Sequence, residues 1–249
     1  MSGHSKWVNI RIRKQSQDAR KGKLFAKVAR EIIVAARQGG GNPDVNHRLR
    51  FAIEKARDVS MPIDNIKRAV QRGTGEIAGV SYDEVTYEGY GPGGVAILIR
   101  VLTDNRNRTV SDIRRTLAKN GGRLGESNCV AWMFDPRGVI TLPRRDIEED
   151  ALLELALETG AQDVRTEGDT YEVICPPSQL DTIRQALLAR GLTPASAEVT
   201  MLPQTRVSLD GSEAHQVLRL MDQIEDLEDV QQVYANFDIP DALLQEAAA

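Results

Sequence analysis

The amino-acid sequence predicts an α+β protein, in which a basic N-terminal three-helix domain is followed by two ferredoxin-like α/β domains, one inserted in the other. Three observations support this class. Apolar residues recur with helical spacing in the first 75 residues, strands and helices alternate after residue 82, and glycine or proline stands at most boundaries. The chain has 249 residues, 41% of them hydrophobic and 27% charged, which is the composition of globular domains and not of a disordered chain.

Residues 1–78 are predicted to form the helical domain. After a polar, basic opening, its first helix is expected over 18–38, where apolar residues fall in one half of the helical wheel. Cations occupy an arc of roughly 100° on the other side, which predicts a continuous basic stripe along the helix. The residues of this stripe are Arg20, Lys23, Lys27, Arg30 and Arg37.

Two shorter helices complete this domain. The second is expected over 45–59, with Asp44 or Asn46 capping its first turn. Pro62 suits the first turn of a third helix, which Gly73 is expected to end. Helices this short are marginal alone, so the three are expected to bury one small core together.

The host α/β domain is predicted over residues 79–134 together with 204–240. Two strands meet there at a glycine-rich hairpin, and a helix is expected over 109–120. A strand is predicted over 129–134. A further strand, helix and strand after residue 204 complete the domain.

The inserted domain is predicted over residues 135–203, beginning with a turn at 135–138. A complete βαββαβ series follows this turn, and glycines end both helices. That order of elements predicts the ferredoxin-like split βαβ arrangement.

The net charge of −4 conceals a strong asymmetry along the chain. Residues 1–75 carry a net charge of +11, residues 76–128 are neutral, and residues 129–249 carry −15. A segment this basic favours a polyanion as partner, since a solvated surface is usually more balanced.

Composition also excludes several classes of protein. No apolar run approaches the length of a membrane span, and the N-terminus lacks the apolar region of a secretory signal. Two cysteines cannot build a disulfide framework or a four-cysteine zinc site. We therefore expect a cytoplasmic protein without cofactor, metal or membrane partner, and no feature identifies a small-molecule ligand.

The basic segment predicts a phosphate-binding surface. Cations along a helix can meet phosphates spaced a few Å apart, but such contacts carry no sequence information. Gln38 is the only amide on the basic arc, so base readout in a major groove is weakly supported. The predicted nucleic-acid-binding residues are Lys6, Trp7, Arg11, Arg13, Lys14, Arg20, Lys21, Lys23, Lys27, Arg30, Arg37, Arg106 and Arg108.

Some members of this set have an alternative interpretation. Trp7 could stack on an exposed base or anchor the helical core, and the sequence does not choose between the two. Arg106 and Arg108 follow a strand end, where a loop can present them to a ligand, although they could equally be solvated arginines.

An enzyme is the competing class of function. His4, His47 and His215 are spread over three regions without a metal-binding pair, and Cys129 and Cys175 are expected to be small buried hydrophobes. The glycine-rich hairpin lacks the Lys-Ser/Thr of a phosphate loop. The sequence therefore predicts a protein that is not an enzyme.

The acidic C-terminal region has two interpretations as well. Its carboxylates could form a solvated face. Alternatively, they could make a contact, either with a basic protein partner or with the basic helices of the same chain, on which they would fold back and limit non-specific binding. They lie on the last helix and at its exit, as Asp222, Glu225, Asp226, Glu228 and Asp229.

Long motifs in the first 142 residues carry a family resemblance. They include Gly3-His4-Ser5-Lys6-Trp7, Gly39-Gly40-Gly41-Asn42-Pro43-Asp44, Met61-Pro62, Tyr87-Glu88-Gly89-Tyr90-Gly91-Pro92-Gly93-Gly94 and Leu102-Thr103-Asp104-Asn105-Arg106-Asn107-Arg108-Thr109. On these motifs the chain resembles the YebC family over nearly its whole length. It departs from the usual Gly-Ser-Val-like turn at Glu126-Ser127-Asn128-Cys129-Val130.

The resemblance implies a three-domain fold and a regulator of gene expression. Many members of the family are described as DNA-binding transcriptional regulators, whereas others, including the mitochondrial translational activator of cytochrome oxidase, act on the ribosome or its messenger RNA. No enzymatic activity is a hallmark of the family. The expected partner is therefore DNA or ribosomal RNA, with a ribosome-associated translation factor as the alternative to a transcriptional regulator.

Overall fold

The structure, a computed structural model, describes residues 18–240 and residue 243. Its class is the predicted α+β class, because within the described residues three helices precede two four-stranded antiparallel sheets with helices packed on them. Within these residues no helix is long and apolar enough to cross a membrane.

The helical module consists of α1 (Asp18–Gly39), α2 (His47–Asp58) and α3 (Ile63–Thr74). Their apolar faces meet in one core, as the helical spacing predicts. Its most deeply buried side chains are Val28, Ile32, Ala35, Ala36, Leu49 and Ala56.

Asn46, and not Asp44, caps α2. Its side-chain oxygen accepts the backbone N–H of Leu49 at 3.0 Å, which satisfies one of the free donors in the first turn. Its amide nitrogen donates to the carbonyl oxygens of Ala35 and Gly40, each at 2.8 Å. One buried amide therefore joins the start of α2 to the end of α1.

The prediction that Gly73 ends α3 is wrong by two residues. The helix continues to Thr74, and Gly75 caps it in the left-handed conformation at φ 84°. Gly73 instead faces α1, where a β-carbon would come within 2.5 Å of the Ile33 carbonyl oxygen. This glycine serves the close packing of two helices.

The host sheet begins directly after the helical module. Its first elements are β1 (Asp83–Tyr90), β2 (Ala96–Thr103), α4 (Arg106–Lys119) and β3 (Arg123–Leu124). Strand β2 is buried along almost its whole length, which accounts for its continuous apolar sequence.

A second sheet follows before the host sheet is completed. It is built from β4 (Phe134–Pro143), α5 (Glu149–Thr159), β5 (Asp163–Glu167), β6 (Thr170–Cys175), α6 (Leu180–Ala189) and β7 (Ser196–Pro203). The strand order β5-β6-β4-β7, with every pair antiparallel, matches the expected ferredoxin-like arrangement.

The chain then returns to the host sheet. The returning elements are β8 (Val207–Ser208), α7 (Gly211–Glu225), β9 (Val230–Ala235) and β10 (Phe237–Asp238). Strand β9 pairs with β2, which gives the order β3-β1-β2-β9, while β8 and β10 form a short parallel pair. The domain boundaries at residues 78, 134 and 203 stay predictions, although the two sheets divide the chain close to them.

The predicted strand at 129–134 and turn at 135–138 are wrong. Residues 131–133 form a 3-10 turn, and β4 begins at Phe134 and runs through the proposed turn. Pro136 is tolerated because it pairs only with Met201 of β7, while pairing with β6 begins at Gly138. Because β4 pairs on one side only at this end, it can contain a proline, and its sequence there resembles that of a turn.

Candidate nucleic-acid interface

Exposed cations lie on all three helices of the helical module. Lys23 and Arg37 on α1 belong to the predicted set, and Arg37 donates a hydrogen bond to the Ser81 hydroxyl. The predicted set contains no residue of α2 or α3, so it misses the exposed cations of these two helices that no described carboxylate pairs with. These additional residues are Arg57, Lys67, Arg68 and Arg72.

Helix α3 contributes a compact basic surface. Arg68 and Arg72 are four residues apart and share one face, while Ile66 and Ala69 on the opposite side are buried in the core. Among the residues that the structure describes, no carboxylate forms an ion pair with Lys67, Arg68 or Arg72. Their charge is therefore available to an external anion.

The basic stripe of α1 is not continuous at the surface. Lys27 donates a hydrogen bond to the main-chain oxygen of Glu225, and Arg30 donates to both the main-chain oxygen and the carboxylate of Glu228. Arg30 is only 7% exposed. We call residues 225–229, which link α7 to β9, the acidic turn. The predicted stripe is thus covered in its middle by the opposite end of the chain.

Arg30 and Arg108 meet at one buried carboxylate. Asp229 has 6% of its side chain exposed, and its Oδ2 accepts a hydrogen bond from Arg108 at 2.8 Å. Arg30 lies on the other side, 3.9 Å from Oδ1. Thr109 and Thr103 also donate to Oδ2, at 2.6 and 3.2 Å. Two residues predicted to bind nucleic acid therefore hold the helical module against the host domain.

Electrostatics keep this carboxylate charged. Burial raises the pKa of Asp229, but the hydrogen bonds from Arg108 and Thr109 and the charge of Arg30 outweigh burial, so the net shift is downward. The pKa of Arg108 is raised, chiefly by its hydrogen bonds to Asp229 and Asp104. Asp229 is thus an anion fixed between cations of two domains.

Arg106 and Arg108 lie in the first turn of α4 and not in a loop. Asn105 caps this helix by accepting the backbone N–H of Arg108, so the helix begins three residues before the predicted Thr109. Cations are electrostatically disfavoured at a helix N-terminus. Carboxylates offset that cost: Arg106 pairs with Asp83 at 2.8 Å, and Arg108 pairs with Asp104 and Asp229.

The remaining predicted site residues cannot be placed at this interface. Arg20 and Lys21 lie in α1, but the structure does not describe their side chains. The other members of the predicted set lie outside the described residues: Lys6, Trp7, Arg11, Arg13 and Lys14.

A cleft of about 420 Å³ lies where α1, α2, β2 and β7 approach one another. Its charged side chains already pair with one another: Lys55 with Glu31 at 2.9 Å, and Arg48 and Arg100 with Glu84 at 3.0 and 2.6 Å. Burial raises the pKa of Glu84, but the two arginines outweigh it and lower the pKa overall. The cleft therefore joins domains and offers an anion no unpaired cation among these residues.

The residues considered for an enzyme site lie in separate elements. The Nδ1 atom of His47 is 2.9 Å from an Arg50 nitrogen at the start of α2, whereas His215 is exposed on α7. Cys175 is buried at the end of β6, where burial raises its thiol pKa, and Cys129 is half-buried in the loop before β4.

Comparison with known protein families shows which family the chain belongs to. The model of the TACO1/YebC N-terminal domain matches residues 5–76, and the model of the TACO1/YebC second and third domain matches residues 82–237. The chain belongs to the TACO1/YebC family. The residue motifs of the sequence therefore indicated the family correctly.

Full-length relatives support this membership of the TACO1/YebC family. A protein of Dictyoglomus turgidum is 55% identical over 98% of this chain and 99% of its own length, and one of Geobacter sulfurreducens is 54% identical over 96% of both. Both carry the name probable transcriptional regulatory protein. The crystal structure of the conserved hypothetical protein Aq1575 from Aquifex aeolicus matches with a TM-score of 0.80 and 46% identity, covering 90% of this chain and 92% of the other.

Proposed function

We propose that this chain is a non-enzymatic, nucleic-acid-binding regulator of gene expression whose helical module binds the phosphate backbone. One observation carries the proposal, namely the exposed cations of α1, α2 and α3 that no described carboxylate neutralises: Lys23, Arg37, Arg57, Lys67, Arg68 and Arg72. The names of the relatives favour transcriptional regulation. The finer form of the proposal is that this regulation acts through binding to DNA.

A salt series tests the proposal. Each phosphate contact with duplex DNA steepens the fall of log affinity against log salt by about 0.9. We expect Lys67→Ala, Arg68→Ala and Arg72→Ala, combined in one variant, to flatten this slope by about 2–3 and to weaken binding at low salt. Fluorescence anisotropy with a labelled duplex at several salt concentrations measures both quantities.

A matched variant separates a local contact from a change in net charge. Arg145, Arg206 and Arg219 are exposed and lie outside the helical module, so their combined alanine variant removes the same charge elsewhere. An equal loss of affinity and slope in both triple variants would refute a phosphate-binding surface on α3.

A translation factor bound to ribosomal RNA is the second candidate. It is favoured by the scarcity of base-reading side chains on α1, where Gln38, the only amide of the basic arc, already accepts a hydrogen bond from Arg48 at 2.6 Å. A DNA regulator should prefer one duplex by at least about 10³-fold over random DNA. A translation factor should instead sediment with ribosomal particles in a sucrose gradient, and the triple α3 variant should abolish that co-migration.

A further inference from the structure

The loop between β3 and β4 holds a large apolar side chain in solvent. Trp132 is 65% exposed. Its only polar atom, Nε1, already donates to the carbonyl oxygen of Cys129 at 3.2 Å. The exposed part of the side chain is therefore aromatic surface with no hydrogen bond left to make.

A buried carboxylate fixes this loop. Glu88 is 6% exposed, and its two oxygens accept the backbone N–H groups of Asn128, Val130 and Ala131 at 2.6, 2.7 and 2.8 Å. Charge-assisted hydrogen bonds of this kind are strong. The three donors immediately precede Trp132, so the indole is carried on a rigid backbone.

The backbone of the loop also depends on special residues. Asn128 has a φ of 66°, a left-handed conformation that asparagine tolerates better than most residues. Gly125 lies so close to Cys129 that a β-carbon would meet the thiol sulfur at 2.4 Å.

A second aromatic ring shares a hydrogen-bond acceptor with Trp132, and a cation lies over that second ring. The Tyr90 hydroxyl donates to the same Cys129 carbonyl oxygen, also at 3.2 Å. The Arg123 guanidinium lies over the Tyr90 ring, 5.3 Å from its centroid, and the Arg123 side chain is exposed. Within residues 18–240, no carboxylate forms an ion pair with Arg123.

We propose that Trp132, Tyr90 and Arg123 form a stacking site for an unpaired base of single-stranded nucleic acid. An aromatic face accepts any base by stacking, and an adjacent cation attracts the phosphate attached to it. A base inside a duplex is stacked on both faces, so this site selects unpaired strands. The inference rests on the proposed function and adds that the nucleic acid is single-stranded where it contacts this loop.

Tryptophan fluorescence tests the site directly. The chain has two tryptophans, so Trp7→Phe leaves Trp132 as the only tryptophan reporter. We would titrate this variant with oligo(U) RNA, with oligo(dT) DNA and with a duplex, each of about 12 nucleotides or base pairs, which is within the range of single-strand site sizes. Single strands should quench the emission, and the duplex should leave it nearly unchanged.

Substitution of the aromatic ring gives the expected magnitude. Trp132→Ala should weaken single-strand binding by about 5- to 160-fold, the range expected when a stacked base loses its aromatic partner. Trp132→Phe should keep most of the affinity because it keeps an aromatic face. The salt slope should stay unchanged in both variants, since no phosphate contact is lost, whereas Arg123→Ala should flatten it by about 0.7.

The outcomes separate this inference from the proposed function. Unchanged Trp132 emission in the Trp7→Phe titrations and unchanged single-strand affinity in Trp132→Ala, together with weaker binding by the triple α3 variant, would overturn the stacking site alone. Absence of binding to all three probes at low salt would overturn both proposals. A tighter complex with oligo(U) than with oligo(dT) would assign the single strand to RNA, and the reverse order would assign it to DNA.

Discussion

Replacing Glu228 by glutamine tests whether the acidic turn competes with nucleic acid for the helical module. Arg30 donates to both the carboxylate and the main-chain oxygen of Glu228, and 9% of its side chain is exposed. It can contact a phosphate only after leaving that carboxylate. The substitution keeps the size of the side chain and the main-chain acceptor and removes one charge.

The expected change in affinity follows from the solvent exposure of the Arg30–Glu228 ion pair. The Glu228 side chain is 76% exposed, so solvent screens its interaction with Arg30, and we take it to be worth about 0.5–1 kcal/mol. Its loss should favour release of Arg30 by about 2- to 5-fold. A released Arg30 adds one phosphate contact, so affinity at low salt should rise by this factor and the salt slope should steepen by up to about 0.9.

Anisotropy titrations of wild type and Glu228→Gln at about 50 and 200 mM salt measure both effects. The matched control is Glu154→Gln, which removes the same charge from an exposed position on α5. Thermal unfolding of each variant checks that the fold is kept. Equal affinity and slope in the two variants would refute competition by the acidic turn and would leave it a purely structural contact.

Three further substitutions test the packing of the fold. Asp229→Asn should lower the free energy of unfolding at pH 7 by about 2–4 kcal/mol, because it removes the buried carboxylate that pairs with Arg108 and lies beside the buried Arg30. The pKa of Asp229 is lowered in the folded state, so the stabilisation by its charge is present above about pH 4 and is lost as the pH falls through the folded-state pKa. Thermal unfolding curves of the variant and the wild type should therefore converge in acid. A difference in stability that stays constant with pH would contradict this account of Asp229. Gly73→Ala forces a β-carbon against the Ile33 carbonyl oxygen and should lower the free energy of unfolding by about 1–3 kcal/mol. In the control Gly22→Ala, the added β-carbon meets no atom within 4 Å and should stabilise α1 by up to about 1 kcal/mol. Shifts of the melting temperature with the same sign in the two variants would contradict this account. Glu88→Gln removes the charged acceptor of three backbone N–H groups and should lower the urea midpoint by the equivalent of about 2–3 kcal/mol, and an unchanged midpoint would show that the loop does not depend on that charge.

Local order along the chain was predictable because its causes are local. Apolar spacing located the three N-terminal helices, and caps such as Asn46 set their ends within a few residues. The wheel of α1 also separated apolar from basic residues correctly. It could not indicate which basic residues meet solvent, because the partner of Arg30 lies almost two hundred residues away.

The acidic turn shows what information was nevertheless present. Opposite net charges of the first and last parts of the chain made a contact between them one of the open alternatives, and Lys27 and Arg30 do touch the acidic turn. The exposed surface of α3 and the position of Trp132 depend on packing between elements. A helical wheel or a turn pattern describes one element at a time, so it cannot predict the exposed surface of α3 or the position of Trp132.

The positions at which the chain leaves and re-enters the host domain affect how the chain folds. Phe134 and Pro203 are register partners, so the chain leaves and re-enters the host domain at adjacent positions. Once β4 and β7 have paired, the loop that must close to bring Val230 beside Val101 is shortened to about half its length. Each halving of a loop lowers the entropic cost of closure by about 0.6 kcal/mol, or roughly threefold in rate if closure limits folding. An inserted domain that forms first thus acts as an internal splint for the sheet that surrounds it.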